Sequence, residues 1–120
     1  ATTVYGTYVS NYAMAVCASS RSEIIIKGGE FANQAPAGSA LSLIYAEDNA
    51  KITIEGGTFK CVNPAWTLNC NDNDAATITV KGGSFYQFDP SNVTVGEGEI
   101  FIADGYHVVQ NGDWYTVVKN

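Results

Sequence analysis

One nine-residue unit constrains this chain more than anything else in it. "ITIEGGTFK" at residues 52–60 recurs as "IIIKGGEFA" at 24–32 and as "ITVKGGSFY" at 78–86, with a shortened copy, "VYGTYV", at 4–9. Self-similarity at a period of roughly 20 to 50 residues marks a repeat architecture, in which each unit buries its apolar face only against its neighbours. Aligned on Gly6, Gly29, Gly57 and Gly83, the copies place Tyr8, Phe31, Phe59 and Phe85 two residues on, at periods of 23, 28 and 26.

The Ile-x-Ile alternation has period two, which puts both isoleucines on one face of a strand and excludes helical repeats. The glycine pair supplies a bend that a Cβ would obstruct. A second landmark precedes each glycine: Ala15 and Cys17, Leu43 and Tyr45, Leu68 and Cys70. From Ala15, Leu43 and Leu68 to the next register glycine is 14, 14 and 15 residues, whereas from the preceding aromatic it is 7, 12 and 9. Length variation is thus expected in one elastic corner, as stacked strands require. Each coil reads as a landmark strand, a polar turn, the Ile-x-Ile strand, a Gly-Gly bend, the aromatic and the elastic loop. Four columns are predicted to stack: Ile24/Ile52/Ile78, Ile26/Ile54/Val80, Tyr8/Phe31/Phe59/Phe85 and Ala15/Leu43/Leu68.

The x-I-x-I-x-G-G-x-F unit resembles right-handed parallel β-helix repeat proteins over residues 1–88, with repeats near 6–28, 29–56 and 57–82. The ending, "GGSFYQFDPSN" followed by "IADGYHVVQNGDWYTVV", resembles the C-terminal region of β-helical fibre and surface proteins of bacteriophages, notably those of gut bacteria. The resemblance implies an all-β fold, a parallel solenoid of three to four coils, and a virion setting. It implies no chemistry.

Residues 89–120 depart from the repeat. Asn111-Gly112 between two alternating runs signals a two-residue hairpin, and "IFIADG" reads as a short strand before it. A last rung exposes unpaired backbone, so the hairpin is expected as its cap. The first rung, "ATTVYGTY", has no such device, and Ile25 takes the outward place held by Thr53 and Thr79 in later coils. The edge of that rung is expected to be met by more chain, by another virion protein or by a further subunit, and Ile25 is the candidate interface residue of a homo-oligomer, a trimer by preference. The missing initiator Met and signal segment suggest a processed chain or part of a longer one.

Chemistry finds little support. A net charge of −6 gives no reason to bind nucleic acid or an anionic membrane, and no apolar run approaches the roughly 20 residues of a span. Cys17, Cys61 and Cys70 are odd in number. If Cys17 and Cys70 share a coil position with Tyr45 between them, they lie roughly 9.6 Å apart at about 4.8 Å per rung, beyond disulfide reach. All three are expected to be free thiols, Cys17 and Cys70 as core fillers, and the same register places Tyr45 in the core. Asp48, Asp72 and Asp74 in the polar turns would suit Ca²⁺ only if they stacked, and Arg21 breaks that ladder. They read instead as turn residues bonding their own backbone, so no metal or cofactor is expected.

Polysaccharide-cleaving β-helices need paired carboxylates, or a cation with a base. Arg21, His107 and the scattered lysines match neither pattern, and a non-enzymatic role is expected. Of the aromatics, Trp66 in "VNPAWT" and Tyr86, which alternates outward from Phe85, are the candidate recognition residues. Two roles follow: a structural, fibre or decoration protein of a phage virion presenting a surface for host or glycan attachment, or a glycan-binding adhesin module of a bacterial cell surface.

Overall fold

The structure, a computed structural model, describes residues 2–71, 75–93 and 100–120. Each coil opens on the Ile-x-Ile strand: β1 (Thr2–Val4), β4 (Glu23–Ile26), β7 (Lys51–Ile54) and β10 (Thr77–Val80) stack in order as one parallel sheet. The aromatic strands β2 (Thr7–Val9), β5 (Glu30–Ala32), β8 (Thr58–Lys60) and β11 (Ser84–Tyr86) stack as a second. The landmark strands β3 (Val16–Ala18), β6 (Ile44–Ala46) and β9 (Leu68–Cys70) form a third. The fold is a parallel β-solenoid, and its core lies where the three sheets face inward.

Register turns the repeat into columns. Ile24, Ile52 and Ile78 are direct neighbours, as are Ile26, Ile54 and Val80. Tyr8, Phe31, Phe59 and Phe85 stack nearly parallel, with centroids 5.3, 4.9 and 4.8 Å apart. These distances match the spacing of hydrogen-bonded strands, so each ring packs face to face without the backbone yielding. The three phenylalanines are essentially excluded from water.

The landmark column differs from the expectation. Val16 pairs with Ile44 and Ile44 with Leu68, so Leu68 stacks on Ile44 rather than on Leu43 and Ala15. Cys17, Tyr45 and Asn69 form the next column and Ala18, Ala46 and Cys70 the one after. Cys17 and Cys70 therefore do not share a position: Cys17 is exposed and Cys70 buried. Tyr45 faces outward and is half-buried, not a core residue. The cause is the polar turn, which spans 19–22 and 47–50 in two coils but 71–76 in the third. Counting back from Gly83 absorbs that insertion as a one-residue slip, and one residue reverses the face of a strand.

The two glycines of each pair do different work. The second, at Gly57 and Gly83, holds φ of 108° and 93°, which L side chains rarely adopt. The first is selected by space: a Cβ on Gly56 would sit 2.6 Å from the carbonyl oxygen of Lys27, and one on Gly82 closer still to that of Glu55. Gly28 meets nothing within 4 Å. Above it the bend is one residue shorter, because Val4 pairs with Ile26 and Thr7 with Glu30.

The C-terminal end is closed in two pieces. The hairpin of β12 (Tyr106–Asn111) and β13 (Trp114–Lys119) adds antiparallel to β11, with Tyr115 opposite Phe85. Ile102 makes a single parallel bridge to Val80, anchored by Val80 N–H to Phe101 O and Ala103 N–H to Val80 O. The short strand expected at "IFIADG" is thus one bridge long. Phe88 and Phe101 carry the aromatic column under this cap, at 6.1 and 6.4 Å.

Truncating Phe59→Ala should cost about 3–5 kcal/mol by chemical denaturation, the range for a large side chain removed from a packed core. Gly82→Ala should lower the melting temperature, while Gly28→Ala should leave it unchanged or raise it, since an alanine that fits restricts the unfolded chain. Equal effects at the two glycines would show that the bend, not the rung above, selects the residue.

Candidate functional site

The elastic corner is where the coils differ in length, and there the backbone needs partners other than a ladder. Two asparagines supply them. Asn33, buried just after β5, donates from Nδ2 to Cys61 Sγ at 3.3 Å and accepts at Oδ1 from the Val62 N–H at 2.8 Å. Asn63 ties its coil to the loop above it: Nδ2 donates to Pro36 O at 2.9 Å and Ser39 Oγ at 3.1 Å, and Oδ1 accepts from Gly38 N–H. A 3-10 turn over Pro64–Trp66 follows, closed by Thr67 N–H and Thr67 Oγ1, both donating to Pro64 O. The corner is cross-linked rather than loose, because a buried amide side chain has both a donor and an acceptor to place.

Trp66 sits on this turn, half-buried, with part of its ring against the core. Its other side borders a depression of about 300 Å³ lined by Gly38, Ser39, Asn63, Pro64, Ala65 and Trp66. A second hollow of about 180 Å³, lined by Ala65, Gln87, Phe88, Asp89, Asn92 and Val93, adjoins it, and exposed Ala65 is common to both. Asp89 is oriented there by the Ser91 N–H and hydroxyl, both donating to Oδ1. The corner presents one aromatic edge, amide groups and a carboxylate on a fixed backbone, a set suited to hydroxyl-rich ligands.

Tyr86 is held elsewhere. Its ring meets Trp114 edge-on at 5.4 Å and carries Lys60 Nζ at 4.6 Å from its centroid. It anchors the cap hairpin to the coil, and the structure does not bring it together with Trp66. Ile25 lies between Thr3 and Thr53 in its column and is half-buried. Tyr45 is the aromatic that sequence reasoning misplaced: with Met14 and Leu41 it borders a third hollow of about 250 Å³. The turn length of the third coil was the signal that would have turned it outward.

The polar turns take their form from backbone geometry. Ser20 and Arg21, then Asp48 and Asn49, occupy the left-handed region, and successive turns are joined by Arg21 N–H to Asp48 O. Among the described residues no three His, Cys, Asp or Glu side chains gather for a metal, and Asp72 and Asp74 lie outside them. Lys27 pairs with Glu55 at 3.2 Å on an exposed strand end, where such a bridge contributes little energy but opposes a register slip. Comparisons with family models, with curated proteins and with solved structures find no match.

No cysteine is in a disulfide, and Cys61 and Cys17 are held back from ionising in different ways. Burial pushes the Cys61 pKa up, and Cys17, although exposed, is raised first by partial burial and then by the charges of Glu47 and Asp48. A raised pKa leaves less thiolate at a given pH, and the thiolate is the nucleophile. In timed alkylation read by mass spectrometry, Cys17 should react first, yet more slowly at neutral pH than an unperturbed thiol. Raising the pH should speed it, and Glu47→Gln should help modestly. A Cys17 faster than free thiol would contradict this environment.

Proposed function

We propose that this chain is a non-enzymatic structural module whose stacked coils hold a shaped loop corner outward for attachment to a host surface or glycan, as a fibre or decoration protein of a bacteriophage virion. The observation that carries this reading is the corner itself: Asn33 and Asn63 bind one coil's loop to the next and fix the surface beside Trp66. A surface held rigid before binding loses less entropy on contact than a mobile loop. The virion setting rests on the resemblance of the repeat unit and of the C-terminal segment. The depression between Trp66 and the Ser39 and Asn63 side chains also suits a cell-surface adhesin module that binds glycan; the two readings share a surface and differ in setting.

Ala65→Arg tests the corner without emptying the core, because Ala65 is exposed and borders both hollows. On a glycan array or intact bacterial cells, the wild type should bind and Ala65→Arg should lose at least about tenfold, or about 1.4 kcal/mol, with an unchanged melting curve. Fixed-stoichiometry copurification with phage particles would favour the virion over the adhesin. Equal binding by both proteins would remove the corner from the reading.

A further inference from the structure

Charge is missing from the elastic corner of the two inner coils. No Lys, Arg, His, Asp or Glu occurs from Phe31 to Ala46 or from Cys61 to Asn71, although 15% of the sequence is charged. These stretches hold the loops, the 3-10 turn that carries Trp66, and strands β6 and β9.

The six bases of the chain lie on other faces. Lys27 pairs with Glu55, and Lys60 sits over the Tyr86 ring on the outside of the second sheet. Arg21 belongs to a polar turn, Lys51 begins β7, Lys81 follows β10 and Lys119 ends β13. None of the six lines either hollow that meets at Ala65. Among the described residues the one charged side chain that does is Asp89, an anion fixed by Ser91.

Size adds a second constraint. At about 300 and 180 Å³ the hollows fall at or below the low end of ordinary small-molecule sites, roughly 300–1,000 Å³, and together they lie inside that range. A ligand that uses both must cross Ala65, whose side chain is a single methyl. On one side it meets Trp66 and the cross-linked Ser39 and Asn63, and on the other the exposed side chains of Gln87 and Asn92.

We infer, resting on the attachment reading above, that the corner takes an uncharged glycan chain with successive sugar units on either side of Ala65, and turns acidic glycans away. A neutral sugar asks for what is present: an aromatic edge against its C–H face, and amide and hydroxyl groups for its hydroxyls. A uronate, sialate or sulfate would leave water without gaining a cation, and desolvating an unpaired charge is costly. It would also approach Asp89 on a molecule of net charge −6, so the local and the long-range fields both oppose it.

Titration calorimetry of the wild type compares uncharged hexasaccharides of glucose, mannose and N-acetylglucosamine with hexamers of galacturonate and sialate. At least one uncharged hexamer should bind, and at low salt each acidic one should bind at least about tenfold more weakly. Salt shortens the Debye length from about 30 Å at 0.01 M to about 3 Å at 1 M, and the neutral affinity should stay within about twofold over that range. The matching monosaccharide should bind at least about tenfold more weakly than its hexamer, as two subsites require. Asp89→Asn, which keeps an oxygen to accept from Ser91, should narrow the gap between neutral and acidic hexamers. An acidic hexamer bound as tightly as the neutral ones, a monosaccharide as tight as its hexamer, or a gap untouched by Asp89→Asn overturns the inference and leaves the attachment reading intact. Binding of no glycan, neutral or acidic, overturns both.

Discussion

Strand spacing governs this molecule. Parallel strands joined by backbone hydrogen bonds lie about 4.8 Å apart, and every coil must repeat at that interval whatever its side chains. The aromatic column obeys it, with rings at 4.8–5.3 Å. A ring thicker than the interval would part the strands, and a small residue would leave a void with no neighbour able to collapse into it. Like therefore stacks on like, isoleucine on isoleucine and phenylalanine on phenylalanine, and one short motif recurs. The same interval brings the carbonyls of Lys27 and Glu55 so near the next bend that Gly56 and Gly82 admit no Cβ.

The columns of sheets one and two were legible in the sequence because their landmarks are unmistakable: a branched pair, two glycines and an aromatic at constant offsets. The third sheet was not, because its landmark is a loose apolar pair whose offset absorbs insertions. Two extra residues in the third polar turn slid Leu68 by one place, enough to send Tyr45 and Cys17 inward on paper and outward in space. The cap hairpin was legible from Asn111-Gly112, since few residues suit that turn. Of the candidate site, Trp66 could be placed on the elastic loop, but the cross-links from Asn33 and Asn63 could not. They join residues more than twenty positions apart, and no local pattern announces such a bond. Tyr86 looked outward by alternation and is outward, yet the hairpin that covers it with Trp114 is supplied from beyond the repeat.

Stability and recognition are divided between different parts of each coil. The columns hold the buried apolar residues, and every coil contributes nearly the same set, so their energy is spread along the stack as in other quasi-one-dimensional folds. The elastic loops add only scattered residues to the core, Leu43 and Cys61 among them, and are freer to vary in length, so residues 33–43 outgrow the equivalent loops of the neighbouring coils. Freedom in length would ordinarily mean freedom of motion. Here two amide side chains remove it, and Asn33 does so from inside the boundary of the core, where an unmet donor would be costly. Every buried side-chain nitrogen and oxygen among the described residues has a partner.

The two ends answer one physical problem with opposite chemistry. A terminal rung exposes backbone donors and acceptors beside apolar side chains, and both must be covered or guarded. At the C-terminal end the chain covers two of its three sheets itself, one by the Ile102 bridge and one with a hairpin whose outer strand carries His107 and whose inner strand ends on Lys119. The first rung carries no charge, since none of the eighteen charged residues of the sequence lies before Arg21. A lysine at Thr7 or Val9 would repel any strand laid beside β2, a wanted one as much as an unwanted one. The neutral edge of β2 beside Tyr8 therefore sets no charge against a neighbouring strand, whether of this chain or of another.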